Sequence, residues 1–529
     1  MARTIMVRMP VAICMTADAV TTPITRRHVA ARLNVALAIT FAIALNFLLQ
    51  GYRFGESNHT VYLLDALHRT HPELLSRDWF TTQTFQYHAL FGYVTRGLMR
   101  IGFLEHGFLI GYLVLLIALH VAWWRIVAAL GMYQILQDSS FLPSNIAAVA
   151  MLWGIAMWLE NRRIASGVAL GVASAFHLNY ALVGLLLWTL LHACTMHRAR
   201  RCSHKTMWTS SAFALIPALI NIGFALRVTS RRNSGLPLAE FVDLYVRLRH
   251  PHHYDPSSWP AWLWLSFALP IFPAVIVWVR RARNKTIDYA WEQAGRIFFM
   301  LGGIIVVALI AAGLTYTSEQ IVQASLFRFS VFLKVLSCVG AAILFDGLTS
   351  ALKWERAEVI TTMVLGLLLM LACLRDGPYL GLFEIAYDDP QYNAMCDWAR
   401  QHTPANAIFI VPPNEQDFRL RAERAIVVNF KAVPQLSGEL PQWRDRLQDV
   451  LDLRNLSSIP REDFAAALRY IRDRYDTLPP ERFIAVAKKY NARYVLTPKP
   501  WPNPYEPLRV GSDENRFWFM YDLSRLNHP

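Results

Sequence analysis

From Leu33 to Leu374 the chain alternates long apolar runs with short, often basic, polar stretches; beyond Tyr387 that rhythm gives way to short strands and amphipathic helices. An upright helix needs about 20 apolar residues to cross a bilayer. By that measure Leu33–Gln50, Gly107–Trp124, Pro143–Leu159, Trp208–Leu226, Trp259–Val279, Gly295–Leu314, Phe327–Gly347 and Val359–Leu374 read as spans. Ile164–Leu191 is interrupted at His177-Leu178-Asn179, with Arg162 and Arg163 before it and Arg198, Arg200, Arg201 and Lys205 after it. One straight span would put these two basic clusters on opposite sides, so a hairpin of two short helices is expected. Ile126–Leu136 is short for a span, but an outward passage there keeps Arg162 and Arg163 on the side of Arg125. About eleven crossings result, with residues 1–32 a cytoplasmic tail and the C-terminus outside.

Between the first two spans lies a long polar stretch, 51–106, rich in His, Asp and Glu. Within it Val61–Leu67 and His88–Gly102 are amphipathic enough to lie on the membrane surface. From Asp389-Pro390, which reads as an N-cap followed by Pro at the first helical position, the pattern is that of a folded soluble unit. Strands are expected at Ala407–Val411, Ala425–Phe430, Tyr494–Thr497 and Phe517–Tyr521, and helices at Gln442–Leu453, Asp463–Tyr475 and Glu481–Tyr490. Strands interleaved with helices imply an α/β layer with a partly parallel sheet. The expected fold is thus a polytopic α-helical membrane domain, 33–375, followed by an extracytoplasmic α/β domain, 376–529, with the boundary near Asp376–Glu384.

Charge supports this division. The net charge of +14 could suggest a nucleic-acid partner, yet from Asp376 onward 20 basic residues face 21 acidic ones. The excess lies wholly among the apolar segments, where basic loops fix orientation. Membrane lipid replaces nucleic acid as the implied partner. Six cysteines show no Cys-x-x-Cys spacing and no metal-ligand pattern. Only Cys396 falls in the soluble unit, which therefore holds no internal disulfide.

A first span, a long external loop bearing an acid and surface helices, many further spans and an external soluble domain together resemble the GT-C superfamily of membrane glycosyltransferases. Three local features carry the resemblance: Gly55-Glu56-Ser57-Asn58-His59 just outside the first span, the short helix pair with Gly167, Gly171 and His177, and Arg328 at the outer start of a late span. Asp-x-Asp is absent from the first loop, which puts a divalent metal of the oligosaccharyltransferase type in doubt. Arg249-His250-Pro251-His252-His253-Tyr254 and the block Phe409–Arg419 look like signatures of uncharacterised bacterial membrane proteins with this layout. The resemblance implies an inner-membrane enzyme that moves a sugar from a polyprenyl-phosphate donor to an external acceptor.

Inverting transfer needs a base for the acceptor's proton, and a carboxylate beside lipid has the raised basicity for it. Glu56 is the first candidate, with His59 on the same helical face, and Asp65 and Asp78 are the fallbacks. Against each stands an ordinary alternative: Glu56 as a solvated loop acid, Asp65 as a helix interruption, Asp78 as an N-cap before Trp79-Phe80. Arg328 suits a leaving phosphate, or simply snorkels to the headgroups. His177 lies at membrane depth, where it faces a cavity or caps the helix break. His252 and His253 point to a headgroup or substrate contact rather than a metal, since nothing beyond Asp255 joins them as a ligand. Asp138 falls in an external turn, and Glu415, Asp417 and Arg419 follow a strand end where α/β domains often bind ligands. A transporter or flippase, or a non-catalytic scaffold, would share the membrane architecture; ionisable residues gathered outside the spans weigh against transport.

Overall fold

A computed structural model describes residues 36–47 (except 38 and 45), 51–55, 58–85, 88–130, 140–196, 204–229, 236–351, 389–510 (except 462) and 517–525. After the first helical stretch come three short helices, α1 (Leu64–Thr70), α2 (Trp79–Gln83) and α3 (Ala89–Arg100). The membrane bundle follows with α4 (Leu104–Leu130), α5 (Pro143–Leu159), α6 (Arg163–Phe176), α7 (Leu178–Met196), α8 (His204–Thr229), α9 (Ala261–Arg283), α10 (Tyr289–Ala308) and α11 (Ser330–Ala351). Among the described residues five helices have the length and hydropathy to cross a membrane, and three shorter apolar ones accompany them. The chain is a multi-pass membrane protein.

Contacts fix how these helices run. The ring of Phe141, just before α5, lies where a Cβ on Gly111 of α4 would be, and Arg125 near the other end of α4 donates from Nε to Glu160 at 2.8 Å. Helices α4 and α5 are therefore parallel. Helix α4 continues unbroken through Ile126 to Leu130, so the expected turn at Arg125 is absent; the pairing with Glu160 lets the guanidinium stay in a helix. The Ile126–Leu136 span is thus not separate over the residues described, and the rest of it, like Val359–Leu374, lies outside them.

Helices α6 and α7 do form the hairpin, with His177 as the extended residue between them. Trp188 and His192 of α7 return to Trp158, beside which Arg163 begins α6. Helices α6 and α8 pack parallel at closest approach: a Cβ on Gly167 or Gly171 would lie 2.2 Å from the carbonyl of Ser210 or Phe213. Small residues that let backbones touch are the usual means of joining helices in lipid. The end of the bundle carrying His177 also carries α1–α3, and the opposite end gathers Arg125, Arg162, Arg163, Arg280 and Arg281.

The C-terminal unit is a mixed sheet in the order β2 (Ala425–Ile426), β1 (Ile408–Ile410), β3 (Tyr494–Thr497), β4 (Phe519–Asp522). Its first three strands run parallel and β4 is antiparallel. Alternation along the strands sends Phe409, Tyr494, Leu496 and Met520 toward α12 (Pro390–His402), and Ile408, Ile410, Val495 and Tyr521 toward α13 (Leu440–Leu451), α14 (Phe464–Asp476) and α15 (Pro480–Tyr490). Asp389 caps α12, accepting from the Gln391 and Tyr392 amides at 3.0 Å. The second of these cores does not end at the domain: Leu64, Leu67, Trp79 and Phe80 of the loop helices and Phe241–Tyr254 belong to it. Loop and C-terminal domain share one hydrophobic core.

Candidate functional site

A cavity of about 380 Å³ opens between α1, α2 and α3 at the end of the bundle that carries the C-terminal domain. Helix α1 presents Asp65 and Arg69 to it, α2 and the residues after it present Thr81–Phe85, and α3 presents His88, Tyr93 and Arg96. Phe224, half-exposed on the apolar flank of α8, closes one wall. The local reason is spacing. Residues four apart share a helix face, so Asp65 and Arg69 form a bidentate pair at 2.8 and 2.9 Å. In α3 the same spacing aligns Ala89, Gly92, Tyr93 and Arg96 toward α1. Arg96 has a buried Nε with no partner among the described residues. The cavity thus offers a carboxylate, two guanidinium groups, threonine and glutamine edges, and tyrosine and phenylalanine walls.

Beyond Tyr62 and His88, which line this cavity, lies a chain of rings. Tyr62 meets His88 at 4.6 Å between centroids, His88 meets His177 at 5.1 Å, and His177 meets Tyr180 at 5.4 Å. Arg328, exposed just before α11, lies within electrostatic reach of Tyr62, His177, Tyr180, His252 and His253, with its Cζ 5.5 Å from the Tyr254 ring centre. The segment that delivers it bends at Ser325, held left-handed at φ 42°. Burial pushes the Tyr62 phenol up to about 12, against the lowering pull of Arg328. It pushes the His88 imidazole down to about 4.

The structure therefore brings His177, His252 and His253 within electrostatic reach of Arg328 and puts Asp65 in the cavity lined by Tyr62 and His88. Glu56 and Asp138 lie outside the described residues. His59 takes another part. It is fully buried, with Nδ1 accepting from the Gly55 amide at 3.1 Å and Nε2 bonding the Phe141 carbonyl at 3.1 Å, which ties the loop to the start of α5. Asp78 is likewise committed: it caps α2 through Thr81, receives the Ile426 amide at 3.1 Å and lies 3.4 Å from Arg419 Nη1. Among the described residues no three His, Cys, Asp or Glu side chains converge on a point as a metal would need.

Tyr62, His88, Tyr180, Tyr254, Arg69 and Arg96 are given no site role by the sequence, although Tyr254 falls in the Arg249–Tyr254 block. The Asp65–Arg69 spacing was there to be read; the others become visible only when three separate segments meet. In the C-terminal domain Glu415, after β1, is pushed up to about 7 by burial and then by Asp417, with Arg472 3.9 Å away.

Residues 390–450 match a family model described as Domain of unknown function (DUF6798). The matched stretch holds α12, β1, β2 and most of α13, and with them Arg419; the membrane bundle lies outside it. No curated protein matches the chain.

Proposed function

We propose that this protein is a membrane glycosyltransferase of the GT-C type that moves a sugar from a polyprenyl-phosphate donor to an acceptor outside the cytoplasm. The observation that carries the reading is the cavity holding Asp65, set between surface helices and walled by a lipid-facing residue of α8. A lipid-linked sugar phosphate needs an apolar flank for the prenyl chain, aromatic and amide groups for the sugar, and cations for the phosphate, and these meet here. Basic residues at the far end of the bundle argue, by the positive-inside rule, that the cavity faces the periplasm of a bacterial inner membrane.

In this reading the acceptor hydroxyl gives its proton to a carboxylate as its oxygen bonds to the anomeric carbon. The bond from that carbon to the phosphate oxygen breaks, and its electron pair leaves with the phosphate, which Arg328 steadies with help from His177. Asp65 is the carboxylate that faces the described cavity. Glu56, earlier in the same loop, is the other acid to test. The experiment is transfer from radiolabelled polyprenyl-phosphate sugars by the purified chain in nanodiscs. Asp65→Asn or Glu56→Gln should lower turnover by about 10²-fold or more; full turnover in both variants would overturn the assignment.

A further inference from the structure

Where the bundle meets the C-terminal domain, the loop after the π-helical turn Val242–Arg249 forms a strip of cation-bearing side chains with Arg328. Arg249 is buried, 6% exposed, and donates from Nε and Nη2 to the Lys431 carbonyl at 3.2 and 2.7 Å. Its charge acts on His252 and His253, whose ring centroids are 4.0 Å apart, and so does that of Arg328, whose Cζ lies 5.5 Å from the neighbouring Tyr254 ring centre. His252 and Arg328 are exposed, so the strip is open. Among the described residues no carboxylate pairs with Arg249 or Arg328. Asp255, the nearest acid along the chain, instead accepts at Oδ1 from the Ser257 amide and hydroxyl and from the Tyr316 hydroxyl.

We propose that this strip is a binding site for a phosphate monoester, and that filling it draws protons onto His252 and His253. Two guanidinium charges, that of Arg249 held by the Lys431 carbonyl, match a phosphomonoester dianion, whose second ionisation falls near 6. A phosphodiester carries one charge and leaves a guanidinium uncompensated. Empty, the strip avoids self-repulsion by keeping its imidazoles neutral: burial, then Arg249 and Arg328, lower His252 to about 4, and burial, then Arg328, His252 and Arg249, lower His253 to about 2. A dianion reverses the sign of that field and makes both imidazoles donors.

The other titratable neighbours are imidazoles and phenols. From the same loop they are His250 and Tyr254, and from the bundle side Tyr62, His177 and Tyr180. The C-terminal domain contributes the Phe464 ring, 5.5 Å from His252, and Lys431 through its carbonyl. The site shares Arg328 with the transfer reading, in which its occupant is the released prenyl phosphate, but it does not require that anything be transferred.

The test is calorimetric titration of the full chain in neutral-lipid nanodiscs with methyl phosphate at pH 7, above the second ionisation of a monoester near 6, in two buffers of different ionisation enthalpy. Binding with net proton uptake is expected, and the uptake should vanish in His252→Gln/His253→Gln. Arg328→Gln and the use of dimethyl phosphate should each weaken binding about tenfold or more. Competition by phosphatidic acid in the nanodisc would identify the ligand as a lipid headgroup, and its absence a free phosphate. No binding, binding without proton uptake, or equal affinity for the diester would overturn the proposal. A chain that binds in this way yet transfers nothing would sink only the glycosyltransferase reading; one that transfers but takes up no protons would sink only this one.

Discussion

The Asp78 carboxylate, in the loop before α2, lies 3.4 Å from Arg419 of the C-terminal domain, and its other oxygen receives the Ile426 amide at 3.1 Å. Both side chains are almost wholly buried, at 1% and 2% exposure. Arg446 stands close by over Trp79, and the amide of Phe85, which lines the cavity, donates to Glu439. The helix that walls the cavity is therefore held from outside the membrane domain.

Replacing Asp78 with Asn preserves the cap on α2, since Asn is as good an N-cap, but leaves Arg419 without a counter-charge. Breaking a buried pair on one side costs about 3–5 kcal/mol. Denaturant titration of the Asp78→Asn chain should show that loss, and limited proteolysis should cut between the bundle and the C-terminal domain sooner. Undiminished stability would mean the pair is not what docks the domain.

Asp65→Asn tests the cavity differently. Asn keeps the shape and one acceptor for Arg69 but cannot take a proton, so turnover should fall about 10²-fold or more with little change in KM. Arg69→Ala removes the clamp and leaves the acid, and its effect should appear mainly in KM. A matching fall in kcat from both variants would indicate that the pair is structural.

His59 makes an acid-sensitive joint. Burial lowers its imidazole to about 4 from an ordinary 6.5. The unfolded chain therefore takes a proton at a higher pH than the native one. Its contribution is fully present above 6.5 and is lost as pH falls toward 4, to a depth of about 3 kcal/mol. Melting temperature against pH should show this limb in the wild type and a shallower one in His59→Gln. The same limb in both would assign the loss to other groups.

Gly171→Leu should separate α6 from α8. Backbone carbonyls cannot retreat from an added side chain as a flexible side chain would, so a destabilisation of at least about 1–3 kcal/mol is expected. Gly223→Ala, at a site with nothing within 4 Å, serves as the tolerated control. Equal melting temperatures for the two variants would contradict the close packing.

Several apolar helices, the break at His177 and the positions of the C-terminal strands were legible because each rests on a local signal: apolar run length, a polar interruption, a short buried run stopped by proline. The strand expected over Ala425–Phe430 pairs only over Ala425–Ile426. Tyr494–Thr497 is the strand that was expected, and Asp389 caps the helix it was expected to cap. The turn at Arg125 was misread for a local reason too. A lone arginine beside an apolar run looks like a boundary until Glu160, 35 residues on, is found to pair with it.

Sequence by itself determined that this is a multi-pass membrane chain ending in an α/β domain, because hydropathy and periodicity act over a few turns. Only the tertiary structure decided that Asp65, and not Asp78, faces a cavity, that His59 is a pin, and that Arg328 stands over Tyr254 within electrostatic reach of His177, His252 and His253. Those assignments depend on which carbonyl, amide or guanidinium arrives from a distant segment. A side chain's own neighbours along the chain carry no record of that.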